Sequence, residues 1–208
     1  MKVAIFTLTK NRIELTKQTL ESIDKNTHIP FDHYIIDQGS TDETLKWLKT
    51  FKYKIGNLYV FPLPKNIGIN AGDCFALEQI GRNYDVIIKL DNDALIITDS
   101  WLEKCLLVLR KKLIISPFIL GLLDNRGGIP RYAYDKDKEL GFTYALGGIC
   151  MIGRTKAWFE DSNGFDGRYN PNYHHDDMEF CDRIRSVGYK FAYKEDVYIK
   201  HLDISKKS

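Results

Sequence analysis

The stretch Val86-Ile87-Ile88-Lys89-Leu90-Asp91-Asn92-Asp93 sets a run of β-forming residues directly before two carboxylates. A continuous apolar run of this length is typical of a strand buried on both faces of a parallel sheet. The acidic turn at 91–93 then falls at the carboxyl end of that strand. Because ligands of open α/β sheets bind outside the carboxyl ends of the strands, the segment predicts a binding site at this edge.

Three similar strands are predicted upstream, at residues 3–8, 34–36 and 58–61. Apolar residues at helical spacing predict helices between them. Asn11 with Glu14, Ser40 with Glu43 and Ser100 with Glu103 have the spacing of capping boxes, and are predicted to begin three helices. Strands that alternate with helices over short connections predict βαβ units, an α/β fold and a mostly parallel central sheet flanked by helices.

The second half of the chain is less regular. Residues 124–141 are polar and predict a long loop, and residues 143–153 form an apolar run interrupted by Gly147 and Gly148. A helix through Phe180 and Ile184 is predicted to end at Gly188, followed by a last strand at residues 189–201. The sequence contains no internal repeat, and no linker that would separate two folding units. A single domain over 1–208 is expected, with two halves at 1–98 and 99–208.

Charge and composition exclude several classes of protein. The net charge of +2 gives no support for a nucleic-acid partner. The four cysteines have no Cys-x-x-Cys spacing, which fits reduced thiols and a cytoplasmic location. No signal peptide and no apolar run of the ~20 residues that span a membrane are found, so no integral membrane segment is expected. Peripheral attachment to a membrane stays open, and the oligomeric state is not readable from the sequence.

Asp91 and Asp93 are candidate metal ligands. Two carboxylates one residue apart make an oxygen-rich site suited to Mg²⁺ or Mn²⁺, which commonly also binds phosphate oxygens. A solvated turn is the alternative explanation. His201 at the end of the last strand would add an imidazole and favour manganese, but the residues alone favour an ordinary surface histidine.

Asp176 and Asp177 lie in the predicted first turn of the late helix, after His174 and His175. A carboxylate there can serve as a general base for an attacking hydroxyl, and the alternative is a favourable interaction with the helix dipole. Asp37, after the second strand, could accept hydrogen bonds from a base or ribose, or could form a local turn with Ser40.

Residues 66–72 form a turn of small residues that allows close approach of a ligand to the backbone. The chain has neither the Gly-x-Gly-x-x-Gly pattern of dinucleotide-binding enzymes nor the phosphate-binding Gly-x-x-x-x-Gly-Lys loop. A Rossmann dehydrogenase and a P-loop enzyme are therefore excluded.

Taken in order, five segments resemble the family 2 glycosyltransferases, which have the GT-A fold. They are residues 5–12, the Asp-Gln-Gly-Ser-Thr-Asp segment at 37–42, the Asn-x-Gly turn at 66–68, the Asp-x-Asp segment at 91–93 and the acidic helix start at 176–183. The likeness extends over nearly the whole chain. Two departures are Gln38, where the family usually has a second aspartate, and Asp176, where glutamate is usual.

The resemblance implies roles for these residues. The donor nucleotide would contact Thr7, Thr9, Asn11, Arg12, Asp37, Asn66, Gly68, Lys89, Asp91 and Asn92. Asp93 would be the main ligand of Mn²⁺ or Mg²⁺, joined by Asp91 and His201. Asp177 would be the general base, with Asp176 as the alternative, and Gly147 and Gly148 would line the acceptor side. Residues 1–98 would form the nucleotide-sugar-binding half of the domain and residues 99–208 the acceptor-binding half.

The function implied is an inverting transfer of a sugar from a nucleoside-diphosphate donor to a hydroxyl of a carbohydrate or glycoconjugate. UDP is the commonest donor nucleotide in the family, and GDP and dTDP are alternatives. Two other classes stay open. A sugar-nucleotide nucleotidyltransferase would need a glycine-rich loop after the first strand, and residues 9–12 contain no glycine. A non-catalytic sugar-nucleotide-binding protein would bind the donor without transfer.

Overall fold

A computed structural model describes residues 1–121, 135–137, 139–162 and 176–202. His174, His175 and most of the loop predicted at 124–141 lie outside the described residues. The strands are β1 Val3–Thr9, β2 Asp32–Asp37, β3 Asn57–Pro62, β4 Val86–Leu90, β5 Ala94–Ile96, β6 Leu113–Leu120, β7 Asp135–Asp137, β8 Leu140–Thr143, β9 Cys150–Arg154 and β10 Lys190–His201. The helices are α1 Ile13–Asn26, α2 Thr44–Leu48, α3 Ile69–Ile80, α4 Trp101–Val108 and α5 Asp176–Ser186, with a π-helical turn at Ala157–Asp161.

One sheet runs through the described part of the molecule in the order β3-β2-β1-β4-β9-β6-β10-β8-β7, and β5 pairs with β10. Strands β3, β2, β1 and β4 are parallel, β9 is antiparallel between β4 and β6, and β10 is parallel to β6. The predicted α/β fold, with a central sheet flanked by helices, is confirmed.

The core continues across the two halves of the chain. Phe6 of β1 meets Trp158 of the π-helical turn edge to face, with ring centroids 6.0 Å apart. Trp158 in turn stacks on Phe180 of α5 at 5.1 Å. All three side chains are fully buried. Aromatic burial of this kind is a large share of core stability, and it holds the late helix α5 against the first strand.

The parallel register brings the predicted polar ends together. Thr9 pairs with Asp37, and the N–H of Gln38 donates to the Thr9 carbonyl at 2.8 Å. Strand β4 lies on the other side of β1, with Lys89 beside Phe6. The residues after β1, β2 and β4 therefore share one edge of the sheet.

The three predicted capping boxes are wrong. Helix α1 begins after Arg12 and α4 after Ser100, both in left-handed backbone conformation, and neither has a side-chain cap. Helix α2 begins only at Thr44, again without a side-chain cap. The polar side chains instead join neighbouring loops, because Asn11 accepts from the Thr41 N–H at 2.7 Å while Ser40 accepts from the Asn11 N–H at 2.7 Å.

Strands β5 to β9 are not predicted from the sequence. Residues 135–137, within the predicted loop, form β7. Strand β6 contains Pro117, which has no N–H to give to a sheet. The neighbouring strand accommodates it, since the β10 register shifts between Lys194 and Tyr198 opposite Pro117 and Phe118. The last strand is as predicted. Helix α5 ends at Ser186, and the predicted terminating glycine, Gly188, follows two residues later with a φ of 89°.

No helix in the described ranges is long and apolar enough to cross a membrane.

A buried hydrogen-bonded chain underlies the β1–β2–β4 region. The Thr7 hydroxyl donates to the Leu90 carbonyl at 2.7 Å and lies 2.9 Å from His33 Nε2, while His33 Nδ1 lies 2.7 Å from the Tyr53 hydroxyl. Because Thr7 gives its only proton to Leu90, His33 must donate from Nε2 and accept from Tyr53 at Nδ1. Burial lowers the pKa of His33 to about 3, so the ring is neutral in the folded protein.

We predict that this histidine makes the protein less stable in mild acid. The unfolded chain protonates His33 near its ordinary pKa of 6.5 while the folded state does not, so stability is complete above pH 6.5 and falls towards pH 3. At pH 5 the loss is about 2 kcal/mol of unfolding free energy. Urea unfolding at several pH values checks this, and His33→Gln should remove that part of the slope.

His28→Gln is the matched control, because His28 is exposed and paired with Asp99. It should leave the loss between pH 6.5 and 5 in place. A slope that is the same in the His33→Gln variant as in the parent protein would contradict the assignment.

Candidate active site

A cleft of about 540 Å³ opens at the carboxyl edge of the parallel strands. Its walls are formed by Leu8, Thr9, Lys10, Arg12, Gln38, Ile69, Lys89, Asp91, Asn92, Asp93, Gly147, Gly148, Ile149, Asp177 and His201. One opening is thus lined by residues that were predicted separately as donor contacts, metal ligands, acceptor contacts and general base.

Asp93 lies between two potential cations. Its Oδ2 is 3.1 Å from Arg12 Nη2, and its Oδ1 is 3.6 Å from His201 Nε2. Burial raises the pKa of Asp93, but the neighbouring His201 and Arg12 outweigh burial and lower it. Asp93 is therefore ionised at neutral pH and suited to bind a cation.

The unpredicted strand β5 brings His201 to this site. His201 pairs with Ala94, which directly follows Asp93, and the Leu202 N–H donates to the Asp93 carbonyl at 2.8 Å. The histidine is therefore held by sheet pairing in a defined place. The sequence alone favoured an ordinary surface position for His201, and the structure differs from that expectation.

Asp91 lies in an acidic environment that a buried lysine offsets. Burial, and then the charges of Asp93 and Asp177, raise its pKa to about 7 against the opposing effect of Lys89. Lys89 Nζ is 2.6 Å from Asp73 Oδ2 of α3. Burial lowers the pKa of Lys89, but the neighbouring carboxylates outweigh it and raise that pKa above its ordinary value. Lys89 thus stays charged.

Sequence reasoning missed Asp73. The residue is fully buried on α3, three positions before the buried Ala76 and seven before the buried Ile80. An acid at the helical spacing of a core face is a signal of a buried ion pair, because an unpaired buried carboxylate is strongly unfavourable.

Asp177 is held in the cleft by a backbone group. Its Oδ2 accepts the Gly148 N–H at 2.7 Å. A Cβ atom on Gly148 would lie 2.7 Å from Asp177 Oδ1, whereas a Cβ on Gly147 would meet nothing within 4 Å. Asp176 begins α5, but its side chain lies outside the described residues. Among the described side chains of α5, Asp177 is therefore the carboxylate that lines the cleft with Asp91 and Asp93.

Several residues predicted to contact the donor do not line the cleft. Thr7 is buried, with its hydroxyl engaged by Leu90 and His33. Asn11 joins two loops, and Asn66 accepts from the N–H of Gly68, whose φ of 90° favours glycine. These side chains shape the loops that form the walls.

Asp37 is buried with 1% of its surface exposed. Its Oδ1 accepts the Ser40 N–H at 3.0 Å, as the local-turn alternative expected. Its Oδ2 has no hydrogen-bond partner among the described residues. Gln38, for which no contact was assigned, lines the cleft instead.

The carboxylates of the cleft are suited to a divalent ion whose remaining coordination positions are filled by a bound ligand. Within the described ranges no three His, Cys, Asp or Glu side chains are arranged as a closed metal cage. Asp93 and His201 are nevertheless adjacent, and Asp91 lines the same cleft. Mg²⁺ and Mn²⁺ sites commonly have only one or two protein carboxylates, with substrate phosphates and water completing the shell.

Comparison with protein families gives a match over most of the chain. The family described as "Glycosyl transferase family 2" matches residues 4–155. No curated protein has a significantly similar sequence.

Solved structures share the fold at low sequence identity. S. aureus TarS 1-349 superposes with a TM-score of 0.73 at 20% identity, covering 97% of this chain and 60% of that one. GalNAc-T7 with UDP, GalNAc and Mn²⁺ gives 0.76 at 16% identity, covering 96% and 43%. Mannosyltransferase PcManGT from Pyrobaculum calidifontis with GDP-Man and Mn²⁺ gives 0.70 at 16%, covering 99% and 58%. The chain spans about 60% or less of the length of these proteins.

We predict that Asp93 determines the binding of Mn²⁺ in this cleft. Asp93→Asn keeps the shape but removes the charge that faces Arg12 and His201, so Mn²⁺ affinity measured by calorimetry with UDP present should fall by at least about 10-fold. Asp99→Asn, at an exposed acid paired with His28, is the control and should leave the affinity unchanged. Equal affinity in the Asp93→Asn variant and the parent protein would remove Asp93 from the site.

Proposed function

The chain belongs to glycosyl transferase family 2. We propose that it transfers a sugar from a nucleoside-diphosphate donor to an acceptor hydroxyl with inversion at the anomeric carbon. The observation that carries the proposal is that Asp177 lies in the same cleft as Asp91 and Asp93. A base and a cation-binding acid are the two functions that such a transfer needs.

The donor diphosphate is assigned to the part of the cleft that contains Arg12, Asp93 and His201. Asp93 and His201, with Asp91 nearby, would hold Mn²⁺ or Mg²⁺ together with diphosphate oxygens. The bound ion supplies positive charge for the diphosphate as it departs. In support, the similar structures of GalNAc-T7 and PcManGT hold UDP and GDP-Man respectively, each with Mn²⁺.

Arg12 adds a cation at the entrance of the cleft. Its guanidinium is half-exposed and paired with Asp93 at 3.1 Å. The consecutive left-handed residues Asn11 and Arg12, with φ of 57° and 62°, place it there. Such strained backbone persists only where its surroundings enforce it, here the hydrogen bonds to Ser40 and Thr41. Because its side chain is half-exposed, Arg12 can leave Asp93 and pair with a phosphate group.

Asp177 is proposed as the general base. As the acceptor oxygen attacks the anomeric carbon, the bond from that carbon to the diphosphate breaks and Asp177 takes the hydroxyl proton. Displacement on the face opposite the leaving group inverts the configuration. The Gly148 N–H orients the carboxylate, and Gly147 leaves room beside it for the acceptor, a hydroxyl of a carbohydrate or glycoconjugate.

UDP-sugars are the first donors to test, since S. aureus TarS 1-349 is also known in complex with UDP-GlcNAc. Incubation of the protein with Mn²⁺ and a panel of nucleotide sugars and acceptor glycans should release nucleoside diphosphate and yield glycosylated product. Release of pyrophosphate from a nucleoside triphosphate would instead identify a nucleotidyltransferase. Donor binding without hydrolysis or transfer would identify a binding protein.

We predict that Asp177→Asn keeps donor binding but lowers transfer by roughly 10²–10⁴-fold, the usual contribution of a general base. The amide cannot take a proton, although it can still accept the Gly148 N–H. Steady-state transfer and donor affinity are measured on the same preparation. Asp182→Asn, on the same helix and paired with Arg185, is the control and should be fully active. Unchanged turnover in Asp177→Asn would exclude Asp177 as the base.

The glycine pair offers a second test of how the base is held. Gly148→Ala introduces a methyl group into the space of the Asp177 carboxylate and should lower the turnover number by up to about 10²-fold, with donor affinity retained. Gly147→Ala has free space and should change turnover by less than about twofold. Equal activities of the two variants would contradict the positioning of Asp177 by Gly148.

A further inference from the structure

We propose that residues 46–59, called here the basic patch, dock the protein on a membrane surface that contains anionic lipids. The inference goes beyond the proposed function and does not depend on it. Two observations carry it. Positive charge is segregated in this part of the sequence, and the structure gathers exposed lysines around a surface cavity, next to partly exposed aromatic and aliphatic side chains.

Positive charge is concentrated in one segment of the chain. Residues 44–72 contain five lysines and no Asp, Glu or Arg. Since the whole chain has a net charge of +2, the remaining residues together carry a net negative charge. Four of the five lysines fall within the segment Lys-Trp-Leu-Lys-Thr-Phe-Lys-Tyr-Lys at 46–54. Such an excess of one sign of charge in one segment favours a partner of the opposite sign.

Two of these lysines have their charge available for a partner. Lys46 and Lys54 each pair with a carboxylate, at 2.7 and 3.1 Å respectively. Lys49 and Lys52 are exposed, and no carboxylate in the described part of the chain lies within ion-pair distance of either. Both line one surface cavity of about 540 Å³, so their charges attract the same anionic surface.

The cavity lies at the open edge of the sheet. Strand β3 is the outermost strand at this end of the described sheet, and its Tyr59 lines the cavity together with Phe51. Lysines often protect an edge strand from pairing with another sheet, but β3 itself, Asn57–Pro62, contains none. The lysines lie on the preceding segment, beside the cavity. This placement favours attraction of a partner over protection of the strand.

Apolar side chains lie between the lysines. Ile55 is 46% exposed and Tyr59 is 42% exposed. Trp47 and Phe51 are partly exposed, and their ring centroids are 4.8 Å apart. Lysines whose long side chains reach lipid phosphates, next to aromatic and aliphatic side chains at the depth of the headgroups, are typical of surfaces that bind anionic membranes.

The use of lysine alone favours a diffuse negative surface over contacts with individual phosphate groups. No arginine occurs between Arg12 and Arg82. The planar guanidinium group of arginine binds single phosphate groups with two hydrogen bonds, whereas lysine acts as a point charge on a flexible chain. A bilayer with anionic headgroups is a diffuse negative surface, and it also accommodates the exposed side chain of Ile55.

Sedimentation of the whole protein with lipid vesicles tests the proposal. The protein should bind vesicles of phosphatidylcholine that contain about one-third phosphatidylglycerol, and should not bind vesicles of phosphatidylcholine alone. Added salt should weaken the binding, because it screens exposed charges. The double variant Lys49→Gln with Lys52→Gln should bind the anionic vesicles at least about 10-fold more weakly, because two charges that face the lipid are lost. Its thermal unfolding should match that of the parent protein, since both lysines are exposed.

Ile55→Trp tests the apolar part of the basic patch. Tryptophan prefers the interface between water and lipid more strongly than isoleucine does, so this variant should bind anionic vesicles about threefold or more tightly than the parent protein. An anionic polymer that is held by charge alone would not respond to the change.

Lys111→Gln with Lys190→Gln is the charge-matched control. Both lysines are exposed and lie near the starts of β6 and β10, in the other half of the sheet. This variant should bind vesicles like the parent protein. Equal binding of neutral and anionic vesicles by the parent protein, or equal losses in the two double variants, would overturn the proposal. Binding of a double-stranded DNA fragment without binding of vesicles would also overturn it and would identify a nucleic-acid partner.

Discussion

The site depends on one constraint, which is that several negatively charged carboxylates lie close together at one edge of the sheet. Asp91, Asp93 and Asp177 line one cleft, and Asp73 lies buried beneath it. Carboxylates this close raise one another's pKa, as they do at Asp91. The buried Lys89, paired with Asp73, and the half-exposed Arg12, paired with Asp93, offset the repulsion. The remaining excess of negative charge is what a divalent ion and an acceptor proton would neutralise.

Backbone groups hold this arrangement more than side-chain contacts do. Asp91 donates its N–H to the Ile149 carbonyl at 2.9 Å, and the Leu90 carbonyl before it accepts the Thr7 hydroxyl. Asp177 is oriented by the Gly148 N–H, and His201 by the pairing of β10 with β5. Strands and short turns position functional groups accurately because their own hydrogen bonds leave little freedom. Glycine is needed at 148 because a side chain would occupy the place of the carboxylate.

The two halves of the chain contribute different parts of the cleft. The β1, β2 and β4 ends supply the Gln38 amide, the apolar wall at Leu8 and the acids at 91 and 93. The later half supplies Gly148, Asp177 and His201. The shared core of Phe6, Trp158 and Phe180 keeps these parts in register across the sheet. In the proposed function, binding of the donor and removal of the acceptor proton would fall to separate segments that meet at one edge.

The sequence by itself determined the α/β fold, the four parallel strands and the acidic turn at 91–93, because these follow from local periodicity. Tertiary structure alone decided the partners of polar side chains. Asn11 and Ser40 have the spacing of helix caps but join two loops, and Thr7 faces His33 and not the cleft. His201 meets Asp93 only because the short strand β5 pairs with β10. Hydrogen bonds and ion pairs between residues distant in the chain depend on packing, which local spacing does not encode.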